Sequence, residues 1–225
     1  MKLLRVRAHL DAPVVLREPA HLDAVLASAW VVRHPEQAQR GSAPRTYTLH
    51  VPYGGWTVTL SSAALATGTP TLVHATKRRD PEDVDRLAGS YTPGSGPGRD
   101  MLVRDRAYVT PHVEWLAYGA AKEIRHALAL RSAVGAMRRH GWGDVWQWSA
   151  EPVDGDPLDC WVRDGVAQRN LPLAWCSSWS RTRAAPTFPP YFGRADPCAP
   201  CGAEVELRPE VISAMRLLVE ERRTR

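Results

Sequence analysis

Residues 3–10 read Leu-Leu-Arg-Val-Arg-Ala-His-Leu, and after Leu4 the apolar and basic residues alternate. Val6 and Ala8 fall on one side, Arg5 and Arg7 on the other. A strand sends successive side chains to opposite faces, so this period predicts a strand with one face buried and one face wet. Val14, Val15 and Leu16 after Pro13 are expected to extend it. A helix should follow, with Pro19 in its first turn and Leu22, Val25, Leu26, Ala29 and Trp30 on one apolar face. Residues 33–45 are polar and read as a loop. Residues 47–51 and 56–60 are strand-like and joined by a Pro/Gly hairpin signal; residues 71–75 form another candidate strand.

The second half repeats this grammar. Residues 107–117 are strand-like, with Pro111 arguing for an edge or a bend. Residues 120–140 predict a long helix with Ile124, Leu128, Arg131 and Met137 at helical spacing, stopped by Gly141, Trp142 and Gly143. Residues 145–152 predict a strand with Trp146, Trp148 and Ala150 on one face, so the two tryptophans should be buried or exposed together. On this periodicity Trp30, Trp115, Trp146 and Trp148 are core residues. Residues 160–200 are Pro-rich and read as irregular, and residues 210–222 as an amphipathic helix. The order of elements predicts an α+β chain built on a βαββαβ ferredoxin-like unit, the skeleton of an RNA-recognition motif. Residues 1–152 would form this core and 153–225 a C-terminal extension packed on it.

One segment interrupts the core. Lys77, Arg78 and Arg79 precede an acidic stretch, and five of the six residues 93–98 are Gly or Pro. Residues 76–106 therefore read as an inserted loop segment. The hydrophobic fraction of 44% and charged fraction of 24% exclude a wholly disordered chain of 225 residues. The longest apolar stretch, residues 24–32, is too short to span a bilayer, and the N-terminus lacks a signal core. The expectation is a cytoplasmic protein with Cys160, Cys176, Cys198 and Cys201 reduced.

No catalytic motif for nucleotide, acyl or metal-assisted chemistry is present. Asp154 and Asp156 flank Gly155 and read as a turn rather than a metal pair. Cys198 and Cys201 have the two-residue spacer of a zinc knuckle, but a full site would need Cys160 and Cys176, which lie outside any such spacing. The expectation is no enzyme, no cofactor and no metal, with a small zinc-containing module as an alternative. His140, beside Gly141, is the residue to watch in a second alternative, an endoribonuclease.

The basic residues point elsewhere. Of 29 Lys and Arg, 26 are Arg, and the net charge is only +5. Arg binds phosphate through a planar fork and stacks on bases. GC-rich coding accounts for much of the Arg total, so the information lies in clusters. These are Lys77, Arg78 and Arg79; Arg138, Arg139 and His140 before Gly141, Trp142 and Gly143; Arg163 and Arg169; and Arg181 and Arg183 near Trp179. Basic residues interleaved with Gly and aromatics suit nucleic-acid binding.

The order of motifs resembles the type IV CRISPR RAMP subunit that caps the 5′ end of the guide RNA. Residues 13–27, from Pro13 through Leu16, Leu22 and Leu26, look like that family's first strand and helix. Gly141 through Trp148, then Asp164 and Gly165, then Arg169, Asn170, Leu171 and Pro172, are similar to its glycine-rich turn, Trp-bearing strand and following basic stretch. Pro189, Pro190 and Tyr191 match a further motif. The resemblance implies a RAMP fold with an inserted thumb-like segment and a non-catalytic role on the crRNA 5′ handle. Its neighbours would be a helical backbone subunit and a large subunit; target DNA would be met indirectly, and an accessory helicase is a possible partner. The turn would carry RNA contacts at Arg138, Arg139, His140, Gly141 and Gly143, with Arg169 as the basic residue of the later stretch.

Overall fold

The computed structural model describes residues 1–16, 19–33, 58–64, 68–77, 101–136, 138–187 and 195–223. The alternating N-terminal segment is strand β1 (Lys2–Leu10), with Leu4, Val6, Ala8 and Leu10 buried. A two-residue strand β2 (Ala20–His21) leads into helix α1 (Leu22–Arg33), followed by β3 (Val58–Ser61) and β4 (Ala63–Ala64). Strands β5 (Thr69–Lys77) and β6 (Met101–Val109) form a two-stranded antiparallel ribbon. Then come β7 (His112–Gly119), helix α2 (Ala121–Leu128) and β8 (Val145–Pro152). Residues 47–51, part of the expected hairpin, lie outside the described residues.

Four strands make the central sheet in the order β3-β7-β1-β8, every pair antiparallel. Strand β1 lies inside the sheet because both its edges are paired, and its period of two decides what each face meets. On one face Leu4, Val6 and Ala8 stand opposite Ala117, Trp115 and Val113 of β7, and Val6 also faces Ala150 of β8. Helices α1 and α2 cover this face through Leu22, Leu26, Ile124 and Leu128. Burying one such side chain contributes about 1.5–3 kcal/mol. Trp115 is buried here, its indole N–H donating to the Ala20 carbonyl at 2.6 Å.

The C-terminal part packs on the other face. Beyond a 3-10 turn at Pro157–Cys160, it holds hairpin β9 (Val162–Arg163) and β10 (Val166–Ala167), turned through Asp164 and Gly165 at φ 51° and 74°. Strand β14 (Asp196–Ala199) pairs with β11 (Leu171–Pro172) and β13 (Arg183–Ala185), and β12 (Cys176–Trp179) pairs with β15 (Val205–Leu207). Helix α3 (Pro209–Arg223) closes the described chain, burying Met215 and Val219. Leu3, Leu60 and Tyr118 of the sheet share one apolar cluster with Trp161, Leu171 and Val205. The described residues of 160–200 are thus organised in short antiparallel pairs rather than irregular. The chain is an α+β protein, and no described helix is long and apolar enough to cross a membrane.

The long helix expected over 120–140 ends at Leu128. The backbone beyond it bonds to strands instead. The Arg131 carbonyl accepts the Trp148 indole N–H at 2.8 Å, and Val145 N–H donates to the Ser132 carbonyl at 2.7 Å. Ala136 N–H donates to the Val15 carbonyl at 2.7 Å, and Gly135 adopts φ 82°. Val14 and Val15 do not extend β1. The chain bends at residues 11–12, Val14 exchanges hydrogen bonds with Tyr108 of β6, and Val15 bridges to Ala136. Pro111 does mark a bend, between β6 and β7.

The tryptophan pair of β8 is split. Trp148 is half-buried and stacked on Trp115 at 5.9 Å, whereas Trp146 is exposed. The register passes from His9↔Gln147 to Leu10↔Val145, leaving Trp146 as the extra residue of a bulge. A bulge reverses the facing of the residue it inserts, which overrides the strand period.

Glycines 141 and 143 both have positive φ, at 78° and 72°, but differ in surroundings. A Cβ on Gly143 would collide with the Val134 carbonyl oxygen, while one on Gly141 meets nothing within 4 Å. Gly141→Ala should therefore cost about 1 kcal/mol, the penalty of the left-handed backbone alone. Gly143→Ala should cost at least about 2 kcal/mol more, because backbone must shift; urea unfolding of the two variants measures the gap.

Candidate nucleic-acid interface

The basic turn before β8 is a 3-10 turn, Arg138–His140, not the end of a long helix. Arg138 and His140 are exposed, as is Gly141; the Arg139 side chain lies outside the described set. Gly143 N–H donates to the Pro13 carbonyl at 2.9 Å, which fixes the turn against the bend after β1. Trp142 is half-buried and packs against the buried cluster of Val15, Val73 and Ala107. Its ring is a foot on which the β5–β6 ribbon rests rather than an open stacking surface.

Lys77 is the last residue of β5, paired with Met101. Arg78, Arg79 and the Gly/Pro-rich residues 89–98 lie outside the described residues. The ribbon carries basic residues that the sequence reading missed. Arg104 and Arg106 are exposed on β6, directly across from His74 and Leu72 of β5. Residues two apart on a strand sit about 7 Å from each other on one face, so the two guanidinium groups line one side of the ribbon. Val73 and Ala107 turn the opposite side inward. The alternation of Val103, Asp105 and Ala107 with Arg104 and Arg106 is the signal that was available, of the same kind as in β1.

The remaining predicted residues belong to the C-terminal part. Arg163 is exposed, its Nε 3.8 Å from Asp164. Arg181 is exposed and donates to the Gly202 carbonyl at 2.9 Å. Arg183 is half-buried on β13, opposite Cys198. Arg169 departs most from its expected role. Its side chain is 3% exposed and donates to the Ser61 carbonyl at 3.1 Å, the Thr187 carbonyl at 2.8 Å and the Asp23 carboxylate at 3.1 Å. Its guanidinium carbon lies 5.7 Å from the centre of the Trp161 ring, which stacks on Trp175 at 4.8 Å. This arginine joins β3, α1 and the C-terminal part, and its fork is taken up by protein groups.

Asp154 and Asp156 sit in the turn expected of them. Asp156 accepts from Leu158 N–H at 3.0 Å and from Arg216 at 2.8 Å. Cys160, Cys176 and Cys198 are buried, and burial raises all three thiols; Cys201 is pushed up to about 11, again by burial. Raised thiols disfavour thiolate, the form that binds metal. Among the described residues no three His, Cys, Asp or Glu come together as a metal set.

Compared with known families and with curated proteins, the chain matches no family model and no curated protein.

Two consequences concern the Arg169 junction. Arg169→Met should destabilise the fold by about 3 kcal/mol, because the half-buried carboxylate of Asp23 loses a countercharge and two buried carbonyls lose their donor; chemical denaturation measures this. His21 lies in the same region, and its pKa is lowered to about 4, first by burial and then by Arg169. Below pH 6.5 the unfolded histidine takes up a proton that the folded one refuses until about pH 4. Stability is therefore complete above pH 6.5 and should fall by about 3 kcal/mol as the pH drops to 4. His21→Gln should flatten that slope in denaturation curves taken across the range.

Proposed function

We propose that the chain is a non-catalytic, guide-RNA-binding subunit of RAMP type, ferredoxin-like in its core, that holds the 5′ handle of a crRNA in a type IV effector complex. The contact between turn and ribbon carries this reading. Trp142, inside the glycine-rich turn, packs against the cluster that Val73 and Ala107 of the ribbon inserted between β3 and β7 form with Val15. Exposed Arg138 and His140 thus belong to a turn anchored on the inner side of a ribbon whose outer side bears Arg104 and Arg106. Glycine keeps the turn backbone open to close approach, and the arginines supply phosphate contacts.

The strand order β3-β7-β1-β8 supports the core assignment, since a βαββαβ unit folds into a four-stranded antiparallel sheet of this connectivity. The small net charge of +5 suits a subunit that grips a short RNA end with local basic faces and otherwise meets protein neighbours. Those neighbours are a helical backbone subunit and a large subunit; target DNA is reached through the guide, with a helicase as an accessory partner.

The test is assembly of the complex with guide RNA and extraction of the RNA that co-purifies. Arg138→Glu with His140→Glu, and separately Arg104→Glu with Arg106→Glu, should each reduce retained guide about tenfold or more, because several phosphate contacts become repulsions. Unchanged retention in both would overturn the reading. So would metal-independent cleavage of repeat RNA by the purified protein that is lost in His140→Ala.

A further inference from the structure

The outer face of the central sheet is closed over only part of its length. Leu3, Leu60 and Tyr118 lie under the C-terminal part. Farther along, Arg5, Arg7 and His9 of β1, His112 of β7 and Ser149 of β8 stay half-exposed. Onto this polar stretch the β8 bulge turns Trp146, which is 60% exposed. Its ring centre lies 5.4 Å from that of His9, which in turn lies 6.3 Å from His112. Bulges commonly re-aim a side chain beside a functional site.

The charges beside this aromatic cluster are unevenly matched. Glu114 accepts from Arg7 Nε at 2.8 Å and lies 3.3 Å from Arg5 Nε. One carboxylate thus serves two guanidinium groups, each of which has further N–H donors. Glu151 is exposed across from Arg5, at the end away from Trp146. Beside β7 the face runs into a groove of about 380 Å3, lined in part by His112, Glu114, Gln168 and Gly202.

We propose that this open half-face binds single-stranded RNA, with an unpaired base stacked on Trp146 beside His9 and a phosphate replacing the Glu114 carboxylate on Arg5 and Arg7. Glu114 then acts as an internal stand-in for phosphate in the free protein. Nucleic acid fits better than a protein partner. A protein interface is built round a cluster of apolar anchors, whereas Trp146 is the one large exposed apolar side chain among the described residues of this face. A single aromatic with cationic neighbours matches a stacked base and its phosphate. A duplex does not fit, because its bases are already stacked. The site lies on the sheet face, apart from the turn and ribbon proposed to hold the 5′ handle, and it does not depend on that reading.

The test uses the full chain, a fluorescein-labelled short oligoadenylate and an RNA duplex of equal length, read by fluorescence anisotropy. Trp146→Ala should weaken oligoadenylate binding about tenfold or more and Trp146→Phe much less, with duplex binding and the unfolding midpoint unchanged. Glu114→Gln should tighten binding and steepen the log–log salt dependence by about one unit, since the RNA gains freed cations. Oligoadenylate affinity unaltered by Trp146→Ala, or weakened by Glu114→Gln, overturns the proposal. Loss of a co-purifying protein in Trp146→Ala with RNA affinity intact would overturn it in favour of a protein-docking face. In Arg138→Glu with His140→Glu, lost guide retention with Trp146-dependent oligoadenylate binding preserved supports two separate sites.

Discussion

Three parts of the chain that are far apart in sequence meet on one guanidinium group. Arg169 reaches Ser61 in β3, Asp23 in the first turn of α1 and Thr187 in the C-terminal part, with the Trp161 ring alongside. A planar fork with several fixed donors can serve three acceptors in different directions; an ammonium on a flexible stem does so less well. Two of those acceptors are backbone carbonyls near the ends of elements, where sheet and helix ladders leave them unused. The C-terminal part is thereby tied to the sheet by directed bonds as well as by the apolar cluster round Leu3 and Tyr118. Burial first, and then the same positive charge, lowers the pKa of His21.

The exposed basic groups are arranged by a different constraint, the route of the backbone after β1. Because Leu10 and Asp11 bond to Pro111 and Asp144, the chain turns away and gives Val14 to the ribbon and Val15 to residue 136. The glycine-rich turn then has to pass close against this crossing. Gly143 is the position where no side chain fits, and Gly141 is the open one. The result is a fixed platform on which ribbon, turn and sheet edge converge, and a rigid scaffold of this kind is what positions loop residues for recognition.

Much of this was legible in the residues. The alternation of residues 3–10 gave β1 and both its faces, the apolar spacing after Pro19 gave α1, and Pro111 marked a bend. The misreadings have physical causes. Ile124 and Leu128 begin a helical pattern that Arg131 and Met137 continue on paper, but the carbonyls of Arg131 and Ser132 find partners in β8, and a helix cannot keep them. Strands of two to four residues such as β9 to β11 are too short to show a period. Arg169 looked like any other arginine of the basic clusters, because burial of a side chain depends on neighbours more than a hundred residues away.

The sequence by itself determined which local shapes were open to each segment: where a strand has two unlike faces, where a helix starts, and where a backbone needs glycine. These are set by sterics and by side-chain spacing within a few residues. Only the tertiary structure decided that Arg169 is buried among protein groups while Arg104, Arg106 and Arg138 face solvent, and that Trp146 leaves the face of Trp148. Those outcomes depend on the register between β1 and β8 and on packing across the sheet, where one inserted residue reverses a side chain and one half-buried carboxylate captures a charge.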